Sequence, residues 1–281
     1  MSEWRDYSRW DQAASGFRAA SGRLLFYDGV HSPQLANERH ILVHLPADYE
    51  TARRHYPVIY MHDGQNLFDP HTSYAGEWGV DDALALLGGD GLAAIVVGIP
   101  NMGERRIGEY SPFADPRHGG GDGAAYLDFI ATTLKPLIDR AFRTFPDRHH
   151  TGIIGSSMGG LISLYAFFQR PDIFGFVGVM SPSLWFARGA LLGYLEAVPF
   201  VPGRIHLDVG TREGAGMVQN AQLLRDLLQR KGHRLDHSLR YVEEDAEHHE
   251  SAWGRRLPAA LRFLLPSGEL GHGTAQVRAA D

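Results

Sequence analysis

The chain has no cysteine. Disulfides and thiol chemistry are therefore excluded, although a cysteine-free chain can reside in any compartment. It also has no basic stripe. The formal charge of −6 argues against a nucleic-acid partner, and the pairs Arg105-Arg106 and Arg255-Arg256 read as solvated surface. The first ten residues carry Glu3, Arg5, Asp6 and Arg9 around no apolar core, so they do not read as a signal peptide. The charge-free stretch from Gly152 to Gln169 is too rich in glycine and serine for a membrane span. A cytoplasmic protein with no membrane partner is the default expectation.

No Pro/Gly/Ser-rich linker, charge block or internal repeat divides the 281 residues. One large domain over 21–266 is expected, with a polar arm at 1–20 and a flexible tail at 267–281. Trp4 and Trp10 could dock the arm. Hydrophobic residues make up 44% of the chain, which is enough for a sizeable core.

The runs Leu24 to Tyr27 and His40 to Leu45 read as an antiparallel hairpin at a sheet edge. Apolar strands follow at Val58 to Met61, Ala93 to Val97, Gly152 to Ile154, Phe176 to Met180, Ile205 to Val209 and Ser238 to Val242. Between them, Ala124 to Phe142 has apolar residues at helical spacing. Helices are also expected over Leu161 to Gln169, Val218 to Lys231 and Ser251 to Leu265, with Pro171 and Gly232 as stop signals. Alternation of this kind predicts an α/β fold: a mostly parallel central sheet with an antiparallel N-terminal edge and helices on both faces.

Gly155, Ser157 and Gly159 form a G-x-S-x-G element between a strand and a helix, the context a nucleophile elbow requires. Ser157 is placed at the turn with its hydroxyl at a helix N-terminus, where developing negative charge is favoured. A serine needs a base, and the base needs an orienting acid. In enzymes with this elbow the acid follows the serine and the histidine comes last. His248 and His249 sit in a loop after the last strand, at the edge of the sheet where open α/β sheets place their sites. One of the two is the expected base. Glu213 directly follows the strand ending at Val209 and ranks first as the acid. Asp208, within that strand, ranks second. The oxyanion donors are expected from the amide of Met158 and from Gly64 or Gln65, in the loop after Val58 to Met61.

Several motifs together resemble the putative-esterase family of α/β-hydrolases, over roughly residues 20–265. They are Asn37-Glu38-Arg39, the run from Tyr60 to Phe68, Glu109-Tyr110-Ser111-Pro112, Gly155 to Gly160, Met180 to Trp185, Gly210-Thr211-Arg212-Glu213, and His248 to Trp253. The resemblance implies an α/β-hydrolase fold and a serine carboxylic-ester hydrolase. It matches Ser157 to the nucleophile, His248 to the base and Glu213 to the acid. It also implies a pocket lined from the loops of Glu109-Tyr110 and Ser183 to Trp185, with Arg106 and Trp185 against a small-molecule ester. An ion pair between Arg106 and Glu109 is the other reading of that arginine. Aromatic residues near the expected mouth (Tyr60, Phe68, Tyr110, Trp185, Trp253) suggest an acyl or aryl group with apolar surface.

Such chemistry needs no cofactor and no metal. Acyl transfer to an alcohol uses the same triad, and a non-catalytic binding module could use the same fold. A cation site in the acidic run 243–250 would need side chains that converge, and the run lacks HExxH spacing.

Overall fold

The computed structural model describes residues 4–7 and 19–266. Trp10 and the expected tail at 267–281 lie outside the described residues. Among the described residues the sheet has nine strands in the order β1-β2-β3-β5-β4-β6-β7-β8-β9. They are β1 (Arg5–Asp6), β2 (Arg23–Ser32), β3 (Asn37–Leu45), β4 (Val58–His62), β5 (Ile95–Ile99), β6 (Thr151–Ser156), β7 (Phe176–Met180), β8 (Arg204–Gly210) and β9 (Leu239–Glu244). The first three are antiparallel to their neighbours, and β4 to β9 are parallel. Residues 5–6, read from sequence as irregular, add a short strand. Trp4 beside them packs edge-on to Tyr27 and Phe142, with ring centroids 4.9 Å apart in each case.

The central strands are apolar on both sides because both sheet faces are covered. Val58, Tyr60, Ile95 and Val97 face one core, under the helices Met158–Gln169 and Ala215–Lys231. Ile59, Met61 and Val96 face the other, under Val80–Gly89 and Glu250–Leu264. The expected helix at 124–142 is α-helical over Gly123–Asp128, a π-helix over Phe129–Leu134 and α-helical again over Lys135–Ala141.

Among the described residues, three α-helices lie where the sequence reading assigns no element: Val80–Gly89, the short Arg106–Glu109 and Ala190–Ala197. The first buries Val80, Ala83, Leu84 and Leu87, an i, i+3, i+4, i+7 stripe hidden between Gly79 and the pair Gly88-Gly89. Among the described residues no helix is long and apolar enough to cross a membrane.

Register sets the location of the site. Ser156, Met180, Asp208 and Val242 stand side by side across β6, β7, β8 and β9. The residues immediately beyond that row therefore share the C-terminal edge of the sheet, where a parallel sheet opens its crevice.

Candidate active site

β6 ends at Ser156, and Ser157 turns the chain at φ 56°, ψ −120° before the helix Met158–Gln169. Few non-glycine residues adopt such backbone angles. Neighbouring strands hold the turn in place. Ser157 N–H donates to the Met180 carbonyl at 3.0 Å, and its carbonyl accepts from Ser183 N–H at 3.0 Å. A Cβ on Gly155 would lie 2.6 Å from the Gly159 carbonyl carbon, so only glycine fits beneath the turn. The Ser157 hydroxyl meets the buried Ser183 hydroxyl at 3.0 Å.

Beyond β8, the Glu213 side chain is buried and that of His248 is partly exposed. His248 Nδ1 lies 2.8 Å from Glu213 Oε2. Burial alone would push the Glu213 carboxyl up. Hydrogen bonds from His248, from the Ser181 hydroxyl at 2.5 Å and from Gly210 N–H at 2.8 Å outweigh it, so the carboxyl sits below its ordinary value. His249 does something else. It is the N-cap of Glu250–Leu264, and its Nδ1 accepts from Ser251 N–H at 3.2 Å. Asp208 is fully buried and contacts His206 and Arg256.

After β4 the chain turns at Asp63 (φ 54°) into a 3-10 turn, Gly64–Asn66. The amides of Gly64 and Gln65 begin this turn, and Met158 begins its helix, so none has an acceptor within its own helix. A Cβ on Gly64 would lie 2.7 Å from the backbone around Ile99, so only glycine lets the turn press against β5.

The turn is clamped from the other side. Arg106 donates to both Asp63 oxygens at 2.7 and 2.8 Å, and Asn101 Nδ2 donates to Asp63 Oδ1 at 2.7 Å. Asp63 N–H donates to the Tyr110 hydroxyl at 3.0 Å, and Asn101 N–H to Gln65 Oε1 at 3.1 Å. Burial would raise Asp63, but Arg106 and Asn101 prevail and hold it below the usual carboxylate range. Behind it, burial pushes His62 down to about 3, leaving a neutral ring 2.9 Å from the Tyr126 hydroxyl.

These contacts correct several expectations. Arg106 pairs with Asp63, not Glu109. Glu109 is buried and takes two bonds from Arg39, at 2.7 and 2.9 Å, and one from Asn37 at 3.1 Å. Glu109 and Tyr110 thus lie beneath the surface, at 1% and 0% exposed, rather than on an open pocket wall. Tyr60, Phe68 and Trp253 are core residues for the same reason. Trp185, at 49% exposed, is the open aromatic of that set. Arg256 is not solvated: it is buried on the same helix face as Trp253 and Leu257. The acidic run 243–250 diverges, with Glu243 on Gln222, Glu244 towards Arg256, Asp245 on Arg212 and Glu250 near Asn66.

The buried Arg39–Glu109 pair gives a direct test of stability. Arg39→Met leaves Glu109 an uncompensated buried carboxylate, and such losses cost about 3–5 kcal/mol. A fall in the urea midpoint at unchanged m-value is the expected result. An unshifted midpoint contradicts it.

Residues given no functional role in the sequence are Asp63, Asn101, Ser181 and Arg256, the last read there only as solvated surface. Their partners lie far away in the chain, and only Arg256 had a local signal, a charge at helical spacing within an apolar stripe.

The sheet order and the strained serine turn define an α/β-hydrolase. Residues 32–264 match the family described as Putative esterase, and the chain belongs to that family. It is 26% identical over 249 residues to the uncharacterized protein YbbA of Bacillus subtilis, covering 84% of this chain and 96% of that one. It is 33% identical over 162 residues to the siderophore triacetylfusarinine C esterase of Aspergillus fumigatus. That match covers 55% of this chain and 52% of the relative, about half its length. The ferric enterobactin esterase structure from Salmonella typhimurium superposes with a TM-score of 0.70 at 23% identity, over 88% of this chain and 59% of that one. The chain is a carboxylic ester hydrolase.

Proposed function

We propose that the chain hydrolyses a small-molecule ester through a Ser157–His248–Glu213 triad and an acyl-enzyme intermediate. The observation that carries this reading is the pairing of His248 Nδ1 with Glu213 Oε2 at the sheet edge that also presents Ser157 on its strained turn. Glu213 orients the imidazole and stabilises its charged form. His248 Nε2 takes the Ser157 proton as the oxygen attacks the ester carbonyl, then returns it to the leaving alcohol. Water, deprotonated by His248 in turn, releases the acid from Ser157.

The amides of Met158 and of Gly64 or Gln65 receive the oxyanion. Each such donor contributes about 3 kcal/mol in the transition state. Asp63 and Arg106 hold the Gly64–Gln65 turn in place. The open Trp185 ring, with His118 edge-on at 5.7 Å, offers apolar surface to an acyl or aryl group. That exposed ring makes aromatic-bearing esters the first class to assay, with siderophore esters, the class named for the Aspergillus fumigatus relative, beside them.

Covalent labelling tests the nucleophile. Diisopropyl fluorophosphate is expected to add one phosphoryl group to the peptide containing Ser157 and to abolish hydrolysis in step. Hydrolysis that persists at full labelling, or an adduct on Ser183 alone, would sink the assignment.

A further inference from the structure

Ser181 follows β7 directly, in the left-handed region at φ 44°. A serine hydroxyl has one proton and two lone pairs. Trp253 Nε1–H donates to Ser181 Oγ at 3.0 Å, and Arg256 Nη2–H donates to it at 3.1 Å. With both lone pairs occupied, the Ser181 proton points to Glu213 Oε1 at 2.5 Å. Gly210 N–H reaches the same oxygen. Glu213 Oε1 thus accepts twice, and a proton there would displace a donor. Oε2 is left for His248 Nδ1–H. This chain of donors selects the His248 tautomer that keeps the proton on Nδ1 and leaves Nε2 free as a base.

Arg256 is held by carboxylates on three sides. Its Nη2 lies 3.0 Å from Asp208 Oδ1 and 3.9 Å from Glu213 Oε1, and its Nη1 lies 3.7 Å from Glu244 Oε2. His206 Nε2 meets the other Asp208 oxygen at 3.1 Å. The charged and titratable groups around Glu213 are therefore His248, Arg256, Asp208 and Glu244, with His206 behind Asp208. Asp208 is thereby excluded as the triad acid, since its oxygens face Arg256 and His206.

We propose that Ser181 and Arg256 are positioning residues for ester hydrolysis, turning Glu213 towards His248 and fixing its acceptor role, with Asp208 anchoring Arg256. The proposal rests on the triad reading above. None of the three residues touches the ester.

The test is the pH dependence of kcat/KM for a short-chain p-nitrophenyl ester. Arg256→Met removes the one cation among three carboxylates. The imidazolium of His248 then faces uncompensated negative charge, so the acidic limb moves to higher pH. Arg256→Lys keeps the charge and holds the limb at the wild-type position. Ser181→Ala changes no charge and keeps the test decisive if Arg256→Met does not fold. Its kcat is expected to fall by about ten- to a hundredfold, within what positioned acid–base catalysis supplies, while KM stays within about twofold because the hydroxyl is away from substrate.

A loss uniform across pH in Arg256→Met, or a wild-type kcat in Ser181→Ala, overturns the proposal. Ser157→Ala is measured alongside. If it retains activity, the triad reading itself falls. If it is inactive while the other variants show neither effect, only the positioning role falls.

Discussion

Ser157→Ala is expected to lose at least about a thousandfold in kcat/KM on short-chain p-nitrophenyl esters near neutral pH, because the residual rate of a triad enzyme comes from its oxyanion donors and binding alone. The fold has no reason to change. Alanine can occupy the same φ of 56° that serine does, and the turn is held by its backbone bonds to Met180 and Ser183. The melting temperature should therefore stay close to wild type. The hydroxyl contact with Ser183 is lost. A variant that hydrolyses like wild type would show that another group attacks the ester.

The second large effect separates two adjacent histidines. His248→Ala is expected to cost as much as Ser157→Ala, since the nucleophile and its base act as a unit and removing either removes both. His249→Ala should leave kcat near wild type. It deletes the N-cap acceptor for Ser251 N–H, and losing a cap costs about 1 kcal/mol of stability. The first variant is thus read in turnover and the second in melting temperature. A reversed pattern would move the base to His249 and detach Glu213 from the chemistry.

The elbow was legible because it is local: five consecutive residues between a strand and a helix specify it. The parallel strands were legible because burial on both faces leaves unbroken apolar runs. The Arg106–Asp63 clamp was not, because its partners are 43 residues apart. They meet only because β5 is inserted between β3 and β4, an order that no local pattern encodes. The choice between His248 and His249 was open for another reason. Neighbouring side chains differ in direction, and direction was set by where the final helix begins. Arg256 misled because a charged pair usually lies in water. Here one member sits on the apolar stripe of its helix and the other, Arg255, faces out. The motif Asn37-Glu38-Arg39 was noticed without its role: Asn37 and Arg39 hold the buried Glu109 carboxylate.

The turn at Ser157 also sets selection for a stable fold against selection for activity. Backbone angles of this kind cost about 1–3 kcal/mol for any residue with a side chain, and glycine escapes most of that cost. On the proposed mechanism, position 157 is therefore one where the more stable protein is the inert one. A stabilising search guided by melting temperature alone would favour glycine there and discard the proposed nucleophile. Only selection on turnover keeps the serine, so tolerance to destabilising changes elsewhere in the chain is reduced by the strain this one residue carries.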